Sequence, residues 1–233
     1  MRNSGISARA GVAIVSVVSA ALFGLAVPAS AAVPITDVPT GDGPISLAIN
    51  EVTNKIYVAN RNEDTLTVID GASNTATSIK VGEYPTDVAV NQATNQIYVA
   101  NWGGGTVSVV DGVTEAVANI EVARPDKLAV NKKTNKVYVS NDDQPSVTVI
   151  DGATQATTVI PTAMDPAGIA VNEKTNKIYV ANSGSLKGKS ATVIDGQTDI
   201  ATDIPLPGSW NPELVVVNET ANKAYVASSA GPI

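Results

Sequence analysis

Asp142 and Asp143 stand side by side in the chain, within the turn-forming stretch Asn141-Asp142-Asp143-Gln144-Pro145. Adjacent carboxylates can work as a general acid and base or ligate a hard cation. The plainer reading is a solvated turn that keeps the end of a sheet soluble. Nothing else in the chain can supply the usual chemistry, because there is no histidine and no cysteine among the 233 residues. That excludes Ser-His-Asp and Cys-His nucleophilic sites, imidazole and thiolate metal sites, and the side chain that ordinarily exchanges protons near neutral pH. No catalytic residue, metal ligand or cofactor site is assigned. Trp102 is of another kind: it precedes Gly103-Gly104-Gly105, where no core position calls for a large aromatic. It could stack on a sugar or on an apolar group of a partner, or pack against a neighbouring element. Trp210, Tyr84 and Arg124 stand in comparable connecting segments and join Trp102, Asp142 and Asp143 as candidate ligand-binding residues.

What must position these residues is a repeat. A stretch reading Asn-x-x-Thr-Asn-Lys-(Ile/Val)-Tyr-Val-(Ala/Ser)-Asn, or a close variant, begins at Asn50, Asn91, Asn131, Asn172 and Asn218, in steps of 41, 40, 41 and 46 residues. Five of the six tyrosines, Tyr57, Tyr98, Tyr138, Tyr179 and Tyr225, fall in one slot of it. Self-similarity at this period with strand-like patterning marks a propeller of four-stranded blades. In the second period, Asp87–Asn91 alternates as a first strand, and Gln96–Asn101 forms a second with Tyr98 and Ala100 on one face and Ile97 and Val99 on the other. Thr106–Asp111 makes a third strand ending in the hairpin signal Asp111-Gly112, and a fourth lies near Val117–Val122. The fold class is all-β: a β-propeller of four-stranded antiparallel blades, four full blades plus a partial fifth, with a truncated member of a larger propeller as the rival.

A four-stranded meander places its turns on two faces. The Asn-x-x-Thr-Asn and Asp-Gly-x-x turns share one face, hardly change between copies, and are expected only to close hairpins. Asp-Gly at 70–71, 111–112, 151–152 and 195–196 is read as turn chemistry, and the repeated Tyr as packing between sheets. The opposite face differs in every copy: Arg61–Asp64, Trp102–Gly105, Asp142–Pro145 and Ser183–Lys189. Variable loops on a rigid repeated scaffold are where such folds place recognition.

Residues 1–31 are set apart. Arg2 and Arg9 precede an apolar run from Ala10 to Val27, and Ala29-Ser30-Ala31 supplies the small residues of a cleavage site. The expectation is a signal peptide over 1–31 and a repeat domain over 32–233, the mature chain beginning at Ala32. Residues 1–31 hold two arginines and no acids, so the remainder carries 13 basic against 22 acidic residues, a net charge of −9. Such acidity argues against nucleic-acid binding. No later segment is long and apolar enough to span a membrane. The product is expected to be secreted or associated with the cell surface, without membrane insertion after cleavage. Its oligomeric state is open.

The elements Tyr57-Val58-Ala59-Asn60, Thr67-Val68-Ile69-Asp70-Gly71 and Pro85-x-x-Val88-Ala89-Val90-Asn91, with their copies, resemble the YVTN-type β-propeller repeats of exported and cell-surface proteins. The resemblance spans about residues 36–228. It implies a surface-associated or secreted propeller with roles in adhesion, envelope interaction or ligand binding. One periplasmic relative type is associated with DNA binding, against which the acidity here argues. The shared motifs build blades, so no catalytic residue carries over. Two departures are Ala221, in place of Thr in the fifth turn, and the absence of a fifth Thr-Val-Ile-Asp strand before Ile233.

Two classes of function compete. The favoured one is a non-catalytic binding module outside the cell, recognising a cell-envelope glycan or protein through the variable face. The other is a propeller hydrolase or lyase of lactonase type, using carboxylates and a bound cation; an inactive fragment of a larger propeller is a third reading. For ring closure, a strand over Ile35–Val38 is expected to lie antiparallel to the last blade, beside strands at Leu214–Asn218 and Lys223–Ala227, giving a five-bladed ring with an imperfect final blade.

Overall fold

Runs of five to seven alternating residues, punctuated by Asn- and Asp-rich turns, are too short for stable helices and fit half-buried strands. In the computed structural model they are all strands. The structure describes residues 36–184, 190–206 and 211–229. The first repeat forms β1 (Pro44–Asn50), β2 (Lys55–Asn60), β3 (Thr65–Asp70) and β4 (Ala76–Lys80), and the second β5 (Pro85–Asn91), β6 (Gln96–Asn101), β7 (Thr106–Asp111) and β8 (Val117–Glu121). The third forms β9 (Pro125–Asn131), β10 (Lys136–Asn141), β11 (Ser146–Asp151) and β12 (Thr157–Pro161). The fourth forms β13 (Pro166–Asn172), β14 (Lys177–Asn182), β15 (Ser190–Asp195) and β16 (Ala201–Pro205). Two further strands, β17 (Pro212–Asn218) and β18 (Lys223–Ser228), make a fifth sheet. Each of the first four sheets is an antiparallel meander in chain order, so the protein is an all-β propeller with four full blades and a partial fifth. First strands of successive blades pack on one another, β1 on β5, β5 on β9, β9 on β13 and β13 on β17, and so form the inner layer.

The core lies between blades. Ile97 and Val99 pack back onto the first blade's Tyr57, Ala59 and Leu66. Tyr98 and Ala100, on the other face of the same strand, pack forward onto Leu128, Val137 and Val139 of the third. Tyr57, Tyr98 and Tyr138 are wholly buried, and burial pushes the Tyr98 and Tyr138 hydroxyls up to about 12. The Tyr98 hydroxyl donates to Gln96 Oε1 at 2.9 Å.

The invariant turn face does more than close hairpins. Asn50, Asn91, Asn131 and Asn172 are fully buried. The Asn50 Oδ1 caps its own turn by accepting from the Val52 and Thr53 amides at 3.1 and 3.3 Å. Its Nδ2 donates to Asn95 Oδ1 of the next blade at 2.8 Å. The same bond joins Asn91 to Asn135 at 2.7 Å, Asn131 to Asn176 at 2.8 Å and Asn172 to Asn222 at 3.1 Å. The Asn-x-x-Thr-Asn motif is therefore a chain of inter-blade staples. Its second Asn adopts left-handed backbone in each copy, φ +51° to +55°, a conformation Asn tolerates better than most residues. The Asp-Gly turns are longer than the two residues their sequence signals. Asp111 accepts from the Val113 and Thr114 amides, and Glu115 takes the left-handed position. Gly112 is required for another reason: a Cβ there would lie 2.5 Å from Asn95 Oδ1.

The expected N-terminal strand does not form. Residues 36–40 have no strand pairing, and Ile35 lies outside the described residues. Val38 is buried against Ile56, Val58 and Ile69 of the first blade, not beside β18. Among the described residues the ring is open: Leu47 and Ile49 on β1, and Val216 on β17 with Tyr225 on β18, are 46–63% exposed. The expected signal peptide also lies outside the described residues.

A desolvated carboxylate sits among the inner strands. Asp87 Oδ1 accepts from the Ser46 hydroxyl of β1 at 2.6 Å, and Oδ2 accepts from the Leu128 amide of β9 at 2.9 Å. A single carboxylate thus ties three blades. Desolvation is its largest influence and raises its pKa, outweighing both hydrogen bonds. A raised carboxyl pKa means that the folded state binds the proton more tightly than the unfolded one, so the charge costs stability at neutral pH and the cost fades on acidification. Asp87→Asn, which can keep both contacts with Ser46 donating replaced by Ser46 accepting, should melt at or above the wild-type temperature at neutral pH. That advantage should shrink as pH falls through the carboxylate range. A variant that is destabilised equally at all pH values would refute the assignment.

Candidate functional site

The variable face is built on two backbone slots that recur in each blade. The first is the residue after the Asn that ends the second strand: Arg61, Trp102, Asp142 and Ser183. Below it the buried Asn101 donates to Thr106 Oγ1 at 3.1 Å and Ser108 Oγ at 2.9 Å, rooting the loop to the third strand. Asn60 and Asn141 do the same in their blades. The second slot precedes the proline that starts each inner strand: Gly43, Tyr84, Arg124, Asp165 and Asn211. All five have positive φ, at +67°, +54°, +45°, +52° and +28°. Non-glycine residues there carry roughly 1–2 kcal/mol of backbone strain. The two slots are joined by backbone bonds, Arg61 to Gly43, Trp102 to Tyr84, Asp142 to Arg124 and Ser183 to Asp165, at 2.8–3.1 Å. The proline lacks an amide, and the first strand slips register just after it, between Pro85 and Asp87 in the second blade.

These slots bring five of the six candidate residues together. The Arg61 guanidinium lies 4.1 Å above the Tyr84 ring. Tyr84 and Trp102 meet at 5.8 Å between ring centroids, tilted by 49°. The Arg124 guanidinium covers Trp102 at 4.7 Å. The Trp102 indole N–H donates to Asp142 Oδ2 at 2.7 Å. Arg124 Nη2 is 2.9 Å from Asp143 and 3.5 Å from Asp142. The result is a continuous ladder, Arg61–Tyr84–Trp102–Arg124–Asp142/Asp143, crossing three blades. Trp102 is half-buried with one ring face under Arg124, so it is a rung of this ladder and not an open platform. Gly103 makes the approach possible, since a Cβ there would lie 2.8 Å from the Tyr84 Cβ. Tyr84 is held from below by its amide, which donates to Asp64 Oδ1 at 2.8 Å and is the main cause of the lowered Asp64 pKa.

Trp210 lies outside the described residues. Arg61 was missed by reading from sequence, although it occupies the same slot as Trp102, and that equivalence was the available signal. The acidic pair faces a guanidinium, and among the described residues no group of three acidic side chains is placed to hold a metal ion.

The ladder is both ordered and easily opened. Ring stacking and cation–π contacts contribute about 0.5–1.5 kcal/mol each. The Arg124 ion pairs join side chains 40–61% exposed, where such pairs contribute about 0–1 kcal/mol. A partner can replace them at small cost while using rings and charges already in place.

No family model matches the chain, and no curated protein matches it. Solved structures do. Hydrazine synthase of Kuenenia stuttgartiensis aligns over 84% of this chain and 56% of its own at 21% identity, with a TM-score of 0.67. The dihydro-heme d1 dehydrogenase NirN, in complex with DHE, aligns over 75% of this chain and 40% of its own at 15% identity, with a TM-score of 0.64. A chain of the nidogen/laminin complex aligns over 83% of this chain and 76% of its own at 12% identity, with a TM-score of 0.63. The chain thus spans only about half the length of the first two. They include enzymes and a partner-binding protein, and at these identities what they share with this chain is the fold: a β-propeller.

Proposed function

We propose that this chain is an exported, non-catalytic interaction propeller of the YVTN-repeat type, which recognises a cell-envelope glycan or protein through its variable face. The observation that carries the reading is the ladder from Arg61 to Asp143. It is the place where aromatic rings, guanidinium groups and carboxylates from separate blades converge on the loops, and its backbone is strained at Tyr84 and Arg124. The side-chain set suits a polymer with hydroxyl and charged groups: guanidinium donors, carboxylate acceptors and the edge of Tyr84, which is 38% exposed. The distant fold neighbours include a nidogen chain, from a complex with laminin, so the scaffold is compatible with partner binding. Acidity and the lack of a neutral-range acid/base group support binding without catalysis. The exported character rests on residues 1–31.

The test is titration calorimetry of the purified protein against isolated cell-wall polysaccharide and against envelope proteins. Trp102→Ala and Arg124→Ala should each weaken the partner by about tenfold or more, as for an anchor at an interface centre, with a loss of stability limited to the few ladder contacts each side chain makes. Loss of stability with no change in affinity would return both residues to packing. Turnover of lactones by the purified protein would overturn the non-catalytic reading.

A further inference from the structure

Of the two arginines among the described residues, one has found its acceptors and the other has not. Both guanidinium groups sit over an aromatic ring of the ladder, Arg61 over Tyr84 at 4.1 Å and Arg124 over Trp102 at 4.7 Å. The Nε of each is buried without an acceptor. Arg124 compensates at its terminal nitrogens, where Nη2 lies 2.9 Å from Asp143 and 3.5 Å from Asp142. Arg61 has no such pair among the described residues, and the carboxylates nearest in the chain serve other groups. Asp64 accepts from the Tyr84 amide at 2.8 Å and from Lys80 at 3.3 Å, and Asp42 accepts from Asn62 at 3.2 Å. Glu63 and Glu83 are exposed.

The open guanidinium is nevertheless fixed in place. The Arg61 amide donates to the Gly43 carbonyl at 2.8 Å, and the buried Asn60 beneath it is bonded to Thr65 and Thr67. The side chain turns forward onto the second blade, away from the open rear face of β1. A guanidinium is a planar fork of donors that a carboxylate fills through two parallel bonds. One already held over a ring gives up less freedom when that carboxylate arrives.

We propose that Arg61 is the anion-docking end of the ladder, and that the ligand is an acidic glycan whose carboxylates are spaced by neutral sugars. This rests on the function proposed above and narrows it. The spacing follows from charge: Glu63, Asp64 and Glu83 stand close by in the loops and repel a densely charged polyanion. A glycan fits better than a protein because protein interfaces centre on a desolvated apolar core. Of the large apolar side chains left exposed, Tyr84 alone belongs to the ladder. The other rungs offer guanidinium, indole N–H and carboxylate groups, which match hydroxyls.

Titration calorimetry of the full chain with isolated cell-wall polysaccharide tests this. The polymer is used untreated, with its carboxyl groups reduced to primary alcohols, and with its phosphodiesters removed. Wild type should lose about tenfold or more in affinity on carboxyl reduction, and nothing on phosphate removal. Arg61→Gln should lose the same on the untreated polymer and show no further loss on the reduced one, because the two changes remove one interaction. Its loss of stability should be limited to the contact with Tyr84. Arg61→Lys keeps the charge without the fork and should fall between. Equal losses from Arg61→Gln on both polymers, or a wild type indifferent to carboxyl reduction, overturn the assignment. If Trp102→Ala still weakens binding in that case, the interaction function stands without it. Dependence on phosphate, or binding of an envelope protein only, overturns it as well. A wild type that binds no polysaccharide removes it together with the glycan side of the function.

Discussion

Tyr98→Ala should cost about 3–5 kcal/mol, the range for removing a buried aromatic from a packed core. Folded domains hold only about 5–15 kcal/mol in reserve. The ring is 1% exposed and lies between the second and third blades among Leu128, Val137 and Val139, so its loss opens a cavity in the inter-blade core. Tyr98→Phe keeps the ring and loses only the bond to Gln96, a change of about 1 kcal/mol. Tyr225→Ala supplies the contrast, since that ring, in the same repeat slot, is half exposed on β18. Urea unfolding of the three variants at low protein concentration should rank them Tyr98→Ala far below the other two. Comparable losses at Tyr98 and Tyr225 would mean that the inter-blade core is not where the stability resides.

The second large effect is expected at Asn131. Its side chain makes three contacts while wholly buried: Oδ1 accepts from the Lys133 and Thr134 amides, and Nδ2 donates to Asn176 Oδ1 in the fourth blade. Asn131→Ala uncaps the turn and takes the donor from the half-buried Asn176 side-chain carbonyl of the next blade. Losing a hydrogen bond costs about 0.5–1.5 kcal/mol, and the uncapped turn adds about 1 kcal/mol to it. Asn131→Asp keeps the two turn bonds but sets a carboxylate against the Asn176 carbonyl oxygen, so it should recover only part of the loss at neutral pH. Full recovery would show that the motif closes the hairpin and does not staple blades.

The strands were legible because period-2 alternation survives in every copy, and β6 and β7 fall on the residues expected. The faces were legible too, since alternation sets Tyr98 and Ile97 on opposite sides, but which side meets the next blade is seen only in the packing. The clustering of Tyr84, Trp102, Arg124, Asp142 and Asp143 followed from meander topology, which sends alternate turns to one side. What escaped was reach. Arg61 matters because a long guanidinium extends over a ring 23 residues away, and slot equivalence says where a side chain starts, not where it ends. The Asn staples escaped because a capping residue satisfies local turn chemistry and hides its second partner in the next blade. The Ile35–Val38 expectation was not met: Val38 packs on the first blade and not beside β18, because three apolar residues there give it burial without backbone pairing.

The slot before each inner-strand proline has a further consequence. Glycine, tyrosine, arginine, aspartate and asparagine all occupy it with the same sign of φ, so its backbone path is dictated by the proline and the loop bond and not by the side chain it holds. Each blade therefore offers a socket into which different chemistries can be fitted without redrawing the chain around it. A lineage of such proteins can change the chemistry of its loop face one blade at a time without redrawing the backbone that carries it. Surface chemistry here is written in a separate alphabet from architecture, and the two can drift apart.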